Sequence, residues 1–248
     1  MRLCVTIIVS FFIFYTSNAQ QKDSVEKYIW KNEATGISAA IEIFGLQNTN
    51  ATACLYFLSK ADTIYNNQSD SLFSRFAPVS SLLCPVIKIS FYNFYDSVLS
   101  NKLKMYAEEF GGAILQDIQK KYKQLPNDNN IVAGMNDFAI VALLSAAGSK
   151  IKINKTALFF NSYQADDSLL TGLKASSKGI TGKMYLYVAN AESDDVFTDK
   201  LATHLALNSS IILYKLQQFS LDLETDYFTE AYKWLLANGN NFIIKTAD

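Results

Sequence analysis

The stretch from Asn130 to Gly148 constrains the fold of this chain more than any other. A short apolar run over residues 131–133 reaches Gly134 and gives way at once to apolar residues at helical spacing. This pattern predicts a buried strand, a tight turn and a helix that packs under the same sheet. Asn136 stands at the tip of the turn, and asparagine tolerates a left-handed, strained backbone better than most residues do.

Strands and helices alternate along the rest of the chain. Residues 20–35 are interpreted as a polar lead-in, and Gly111–Gly112 as a turn before a helix. The predicted strands cover residues 36–44, 53–58, 86–91, 155–160, 184–188 and 211–216, and further helices are predicted at 196–206 and 227–237. This alternation predicts an α/β fold: a mostly parallel, twisted sheet with helices on both faces and right-handed crossovers. We expect residues 20–248 to form a single domain.

The segment from Met1 to Ala19 has the pattern of a secretory signal peptide. Arg2 precedes an apolar run too short to cross a bilayer, and small residues predict cleavage after Ala19. No later segment is apolar enough to span a membrane, so we expect a secreted or periplasmic protein. Cys54 and Cys84 remain after cleavage, either as a disulfide or as two buried free thiols, and the free thiols are favoured.

Composition excludes several classes of function. A net charge of −1 gives no electrostatic support for nucleic-acid binding. One histidine and scattered cysteines cannot supply a metal site at useful spacing, and no glycine-rich phosphate loop is present. We therefore expect neither a metal nor a cofactor.

Four motifs in sequence order carry a family resemblance. They are Gly111-Gly112-Ala113 before a helix, residues 130–134 entering the tight turn, Tyr185–Val188 before an acidic loop, and residues 230–236 near the end. With them, residues 50–236 resemble the esterase family of α/β-hydrolases that includes the esterase-D-like and enterochelin-esterase-like enzymes. The resemblance implies an α/β-hydrolase fold, and hydrolysis of carboxylic esters by serine, aspartate and histidine in that chain order.

The catalytic triad that the resemblance implies is not intact. Asn136 falls on the nucleophile position, and an amide nitrogen with a delocalised lone pair cannot replace a hydroxyl. Asp194 and Asp195 are candidate remnants of the triad acid, although capping of the next helix is the favoured interpretation. Residues 217–220, at the base position, contain no histidine, and His204 is predicted to lie about 13 Å along the preceding helix, away from the site.

Two supporting glycines of the family are also absent. Phe138 occupies the second glycine position of the turn and is expected to push into the space between the turn and its neighbouring strand. Ser59-Lys60-Ala61-Asp62 stands where relatives often have an Asp-Gly pair in the loop that forms the oxyanion hole. Without the nucleophile, retained oxyanion donors would give only a small fraction of the rate.

The sequence therefore predicts an exported, degenerate member of the esterase family, a pseudoenzyme that has lost serine-esterase activity. We expect it to bind a small molecule, a glycan or a protein partner in the old cleft, since ligands gather at the carboxyl ends of strands in such sheets. Tyr92 and Tyr163 are candidates for stacking on a sugar, although covering the core is the commoner role of such rings. The predicted cleft residues are Ser59, Lys60, Tyr92, Met135, Asn136, Asp137, Ser162 and Tyr163.

Two alternatives remain open. The first is an active carboxylic-ester hydrolase with a rewired site, in which a serine elsewhere is the nucleophile and an aspartate assists it. The candidate serines are Ser59, Ser162 and Ser220, and the candidate acids are Asp137, Asp194 and Asp195. The second is a structural role in an exported complex, which predicts a hydrophobic patch outside the cleft.

Overall fold

The computed structural model describes residues 25–47, 51–61, 84–92, 100–161, 171–173, 180–189 and 196–217. These residues form one eight-stranded sheet in the order β1-β2-β4-β3-β5-β6-β7-β8. Strand β2 pairs antiparallel with β1 and with β4, and all the other pairs are parallel, which confirms the predicted mostly parallel sheet. The strands are β1 (Glu26–Lys31), β2 (Ser38–Phe44), β3 (Cys54–Lys60), β4 (Val86–Phe91), β5 (Asn130–Met135), β6 (Ile153–Asn161), β7 (Gly182–Ala189) and β8 (Ile211–Gln217).

Described helices lie between three pairs of strands that follow each other in sequence. Between β4 and β5 run α1 (Ser100–Glu109), a π-helical segment (Phe110–Ile114) and α2 (Leu115–Lys121). Helix α3 (Asp137–Gly148) follows β5 directly, and α4 (Val196–Ala206) connects β7 to β8. The predicted helix at 196–206 is confirmed, whereas the one at 227–237 lies outside the described residues. No helix within the described ranges is both long and apolar enough to cross a membrane.

Both faces of the central strands are buried. Six of the seven residues of β3 are closed to solvent, as expected of a parallel strand covered on both sides. Tyr56 and Leu58 share a hydrophobic core with helices α1 to α4. Leu55 and Phe57, which alternate with them along the strand, are buried as well.

Strand β1 corrects one prediction. Residues 26–31 are not a lead-in but the edge strand of the sheet, so β2 is second from the edge. Side-chain hydrogen bonds tie β1 and its turn to the helices: Trp30 Nε1 donates to Asp117 at 2.8 Å, and Asn32 Nδ2 donates to Glu109 at 3.0 Å. The run Tyr28-Ile29-Trp30, made of residue types that are common in strands, was the available signal.

Gly111 and Gly112 do not form a turn either; they lie inside the π-helical segment. A Cβ atom on Gly111 would lie 3.1 Å from the Cβ of Ser149, just beyond the end of α3. The Ser149 hydroxyl donates to the Gly111 carbonyl at 3.1 Å. Glycine at position 111 suits a close approach between the π-helical segment and the end of α3, and it does not mark a turn.

Cys54 and Cys84 are buried thiols with no disulfide between them, so the favoured interpretation of two thiols is confirmed. Leu55 pairs with Val86 in the sheet register, which places Cys54 opposite Pro85 and not opposite Cys84. Burial raises the pKa of the Cys54 thiol, which makes it unreactive.

Candidate functional site

The carboxyl ends of β3 to β8 meet at one edge of the sheet, the edge where ligands gather in folds of this kind. Lys60, the last residue of β3, pairs with Phe91 at the end of β4. Tyr92 follows directly, and its backbone N–H donates to Ser38 O at 2.9 Å. Met135 ends β5 beside them, so the predicted cleft residues Lys60, Tyr92 and Met135 come together at this edge.

Asn136 forms the sharp corner between β5 and α3. Its backbone has φ 53° and ψ −117°, and it is the one non-glycine residue of the described part with a positive φ. Its N–H donates to Phe159 O on β6 at 2.8 Å, and its carbonyl accepts from Ala139 N at 2.9 Å as α3 begins. A backbone of this kind costs about 1–3 kcal/mol and persists only where its surroundings impose it.

Gly134 allows the corner to close. A Cβ atom at this position would lie 2.2 Å from the backbone oxygen of Phe138 and 2.9 Å from the nitrogen of Ala139. The first turn of α3 therefore passes directly over the end of β5, and only glycine fits beneath it. The predicted order of buried strand, tight turn and helix is confirmed.

Phe138 packs on Phe91 of β4, so the expectation that it pushes into the space between the turn and its neighbouring strand was wrong. Its side chain is 7% exposed and stacks on Phe91, with ring centroids 5.9 Å apart and planes 6° apart. Phe91 in turn meets Tyr106 of α1 edge-on at 5.1 Å. The ring packs towards β4 and α1 and leaves the backbone of Asn136 in place.

The other candidate residues are Ser59 and Asp137, which the structure describes, and five residues outside the described part. Ser59 is fully buried and its hydroxyl lies 2.8 Å from that of Ser90, so it does not line a cleft open to solvent. Asp137 is partly exposed in the first turn of α3, where the helix dipole favours a carboxylate. Outside the described residues lie Ser162, Tyr163, Asp194, Asp195 and Ser220.

His204 is the only histidine in the sequence and stands in the last turn of α4. Helix α4 leaves the carboxyl end of β7 and returns to the start of β8, so its last turn lies towards the opposite edge of the sheet. The two edges are separated by roughly 20 Å of strand. From this position His204 cannot act as a base for a group at Asn136.

Backbone donors near the corner are partly engaged. The N–H of Ala61, the first residue after β3, donates to Phe91 O at 2.8 Å and continues the ladder of the sheet. In the first turn of α3, the N–H groups of Ala139 and Ile140 donate to the Asn136 carbonyl at 2.9 and 3.2 Å. No three residues among histidine, cysteine, aspartate and glutamate in the described ranges are placed to hold a metal ion.

Comparison of the whole fold identifies its type. The esterase Pf2001 of Pyrococcus furiosus superposes with a TM-score of 0.59 over 86% of this chain and 92% of that chain, at 9% identity. The S-formylglutathione hydrolase of Staphylococcus aureus gives 0.55 over 86% and 96%, at 12% identity. The protein has an α/β-hydrolase fold.

Other solved structures with this α/β-hydrolase fold agree. The enterobactin esterase of Shigella flexneri gives a TM-score of 0.53 at 16% identity, with 79% of this chain on 54% of that chain. No protein-family model matches the sequence, and no curated protein matches it. The likeness therefore lies in the three-dimensional path of the chain.

Proposed function

We propose that this protein is an exported, esterase-derived α/β-hydrolase-fold protein that no longer cleaves esters through a serine and instead binds a ligand or partner at the carboxyl edge of its sheet. One observation carries the proposal: the strained corner after β5 is kept, yet it presents the carboxamide of Asn136. The structural neighbours described as esterases support the ancestry. Export rests on the leader-like segment from Met1 to Ala19.

The chemistry of the corner favours binding over acyl transfer. A carboxamide offers two N–H donors and a carbonyl acceptor, so it can pair with the hydroxyls or amides of a neutral polar ligand. It offers no lone pair that can attack an ester. Lys60 and Tyr92 at the same edge add a cation and an aromatic ring, which suits a glycan or a small polar molecule.

The alternative of an active ester hydrolase is favoured by the neighbours, which include esterases and an S-formylglutathione hydrolase. The burial of Ser59 and its hydrogen bond to Ser90 oppose a role for Ser59 as nucleophile. Ser162 and Ser220 remain the serines on which this alternative depends. The exposed large apolar residues of the described part are divided between the two edges of the sheet and a helix: Val25 and Ile29 at β1, Met105 on α1, Leu207 just after α4, and Ile212 on β8. This division does not favour a scaffolding role.

Turnover is tested with p-nitrophenyl acetate. We expect no burst of product from the parent protein and no acyl label on any serine. Asn136→Ser combined with Phe219→His or Ser220→His is expected to gain activity that neither single change gives. A burst in the parent, with label retained on a serine, would refute the binding proposal and support an active hydrolase with a rewired site.

Binding is tested with a panel of sugars and small polar molecules, scored by thermal shift. Asn136→Gly removes the carboxamide and retains a residue that accepts a positive φ. We expect any ligand found with the parent to lose affinity for this variant and to keep it for Asn127→Gly, a matched change in an exposed bend. Equal affinity of a ligand for the parent and for Asn136→Gly would show that its binding site is not at the corner.

A further inference from the structure

The backbone of Asn136 has a consequence for the chemistry of its own side chain. We propose that Asn136 is a self-modification site: its side-chain amide closes on the backbone nitrogen of Asp137 to form a succinimide, which water opens to aspartate or isoaspartate. The inference rests on the geometry of the corner and does not depend on the proposed binding function.

The ψ angle carries the geometric argument. In an L-residue, Cβ is rotated by about 120° from the backbone nitrogen when viewed along the Cα–C bond. A ψ of −117° therefore brings Cβ of Asn136 within a few degrees of eclipsing the nitrogen of Asp137. Cα, the carbonyl carbon, that nitrogen and Cβ are four of the five atoms of a succinimide ring, and a nearly planar ring needs this eclipsed arrangement.

Ordinary secondary structure does not provide this geometry. At the ψ values typical of a strand or of an α-helix, Cβ is far from eclipsing the following nitrogen, and the backbone must rotate before the ring can close. Here the fold already imposes the required ψ through the close passage of α3 over Gly134 and the hydrogen bond from Asn136 N to Phe159 O. Reaching the reactive conformation is much of the barrier in reactions of this type, so we expect ring closure to be accelerated.

The reaction needs only water and a base. Hydroxide or another solvent base removes the proton from the Asp137 nitrogen, which attacks Cγ of Asn136. The new N–C bond forms as the bond from Cγ to the side-chain nitrogen breaks, and that nitrogen takes a proton from water and leaves as ammonia. Water then adds to one of the two ring carbonyls and breaks its bond to the Asp137 nitrogen, which gives aspartate or isoaspartate.

The surroundings favour each step. Asp137 is the first residue of α3. The positive end of the helix dipole stabilises the negative charge that develops on the Cγ oxygen, and it also favours the carboxylate of the product. Asn136 and Asp137 are both partly exposed, so water and base can reach them. The product adds one negative charge to the carboxyl edge of the sheet.

The chain contains a matched control in Asn127–Asp128, the same dipeptide in an exposed bend. Asn127 has no positive φ, unlike Asn136. The full-length folded protein is incubated at mildly alkaline pH in heavy-oxygen water, and peptide mapping by mass spectrometry measures label and isoaspartate at each position. We expect Asn136 to react about tenfold faster than Asn127, or more, in the folded protein, and the two to react at similar rates in concentrated urea.

Two results would overturn the proposal. One is equal or faster reaction at Asn127 in the folded protein, and the other is a rate at Asn136 that is no higher in the folded protein than in urea. Asn136→Gln, whose longer side chain cannot form the five-membered ring, should abolish the label at position 136 and leave Asn127 unchanged. If that variant does not fold, the comparison of folded and unfolded parent protein still decides the matter.

Discussion

Replacing Gly134 with alanine tests the close passage of α3 over β5. The added Cβ would meet the Phe138 carbonyl oxygen at 2.2 Å and the Ala139 nitrogen at 2.9 Å, and both are backbone atoms that cannot rotate away. Contacts this short force the first turn of α3 to move. Overpacking typically costs about 1–3 kcal/mol, and because backbone must move we expect the upper end of that range or more.

The assay is equilibrium unfolding in urea, supported by thermal melts. For a domain of this size a loss of about 3 kcal/mol lowers Tm by roughly 6–12 °C. Gly112→Ala is the control, because its Cβ would meet nothing within 4 Å, and it should stabilise the helical segment by about 0.5–1 kcal/mol. Gly111→Ala, with Ser149 at 3.1 Å, should fall between the two. Equal effects of Gly134→Ala and Gly112→Ala would refute the close-passage argument.

Three further predictions concern single side chains. Asn136→Ala should lower the free energy of unfolding by about 1–2 kcal/mol relative to Asn136→Gly, because alanine tolerates a positive φ poorly, and denaturant titration of the pair measures it. Tyr56→Phe should be neutral or stabilising by up to about 1 kcal/mol in the same titration, since its buried hydroxyl lies beside Cys54 and Gln119 but makes no hydrogen bond of good geometry to either; clear destabilisation would disprove this. Burial and neighbouring Lys183 lower the pKa of Lys155 to about 8, so its charged form is disfavoured in the folded state. Stability of the parent relative to Lys155→Met should therefore rise from pH 8 to pH 10.5, by at most about 3 kcal/mol, and a flat difference would contradict the lowered pKa.

The parts of the fold that sequence predicted best are those with local signals. The continuous apolar run of β3 and the abrupt change of periodicity at Gly134 define a central strand and the strand–turn–helix corner. Strand β1 was missed because a short edge strand exposes most of its residues and resembles a polar loop. The role of Gly111 could not be predicted, because its neighbour Ser149 is remote in sequence.

For the candidate site too, sequence predicted what depends on neighbouring residues in the chain and missed what depends on other elements. Sequence alone placed Asn136 at the corner, because a glycine two residues earlier and a helix directly after it are local features. The direction of the Phe138 side chain depends on Phe91 and Tyr106, which come from other elements, so sequence alone could not show that the ring packs on Phe91. The burial of Ser59 likewise depends on β4, whose Ser90 takes up its hydroxyl.

The π-helical segment between α1 and α2 determines in which direction around the helix axis the side chains of α2 point. A π turn holds one residue more than an α turn, and one residue corresponds to about 100° around the helix axis. Deleting Gly112 would restore an unbroken α-helix and swing Asp117 about a quarter of a turn away from Trp30, together with the apolar side chains of α2. The extra residue thus directs Asp117 of α2 towards Trp30 of the edge strand β1. Shortening a loop elsewhere in the chain would not rotate α2 back and could not compensate for the loss of this residue.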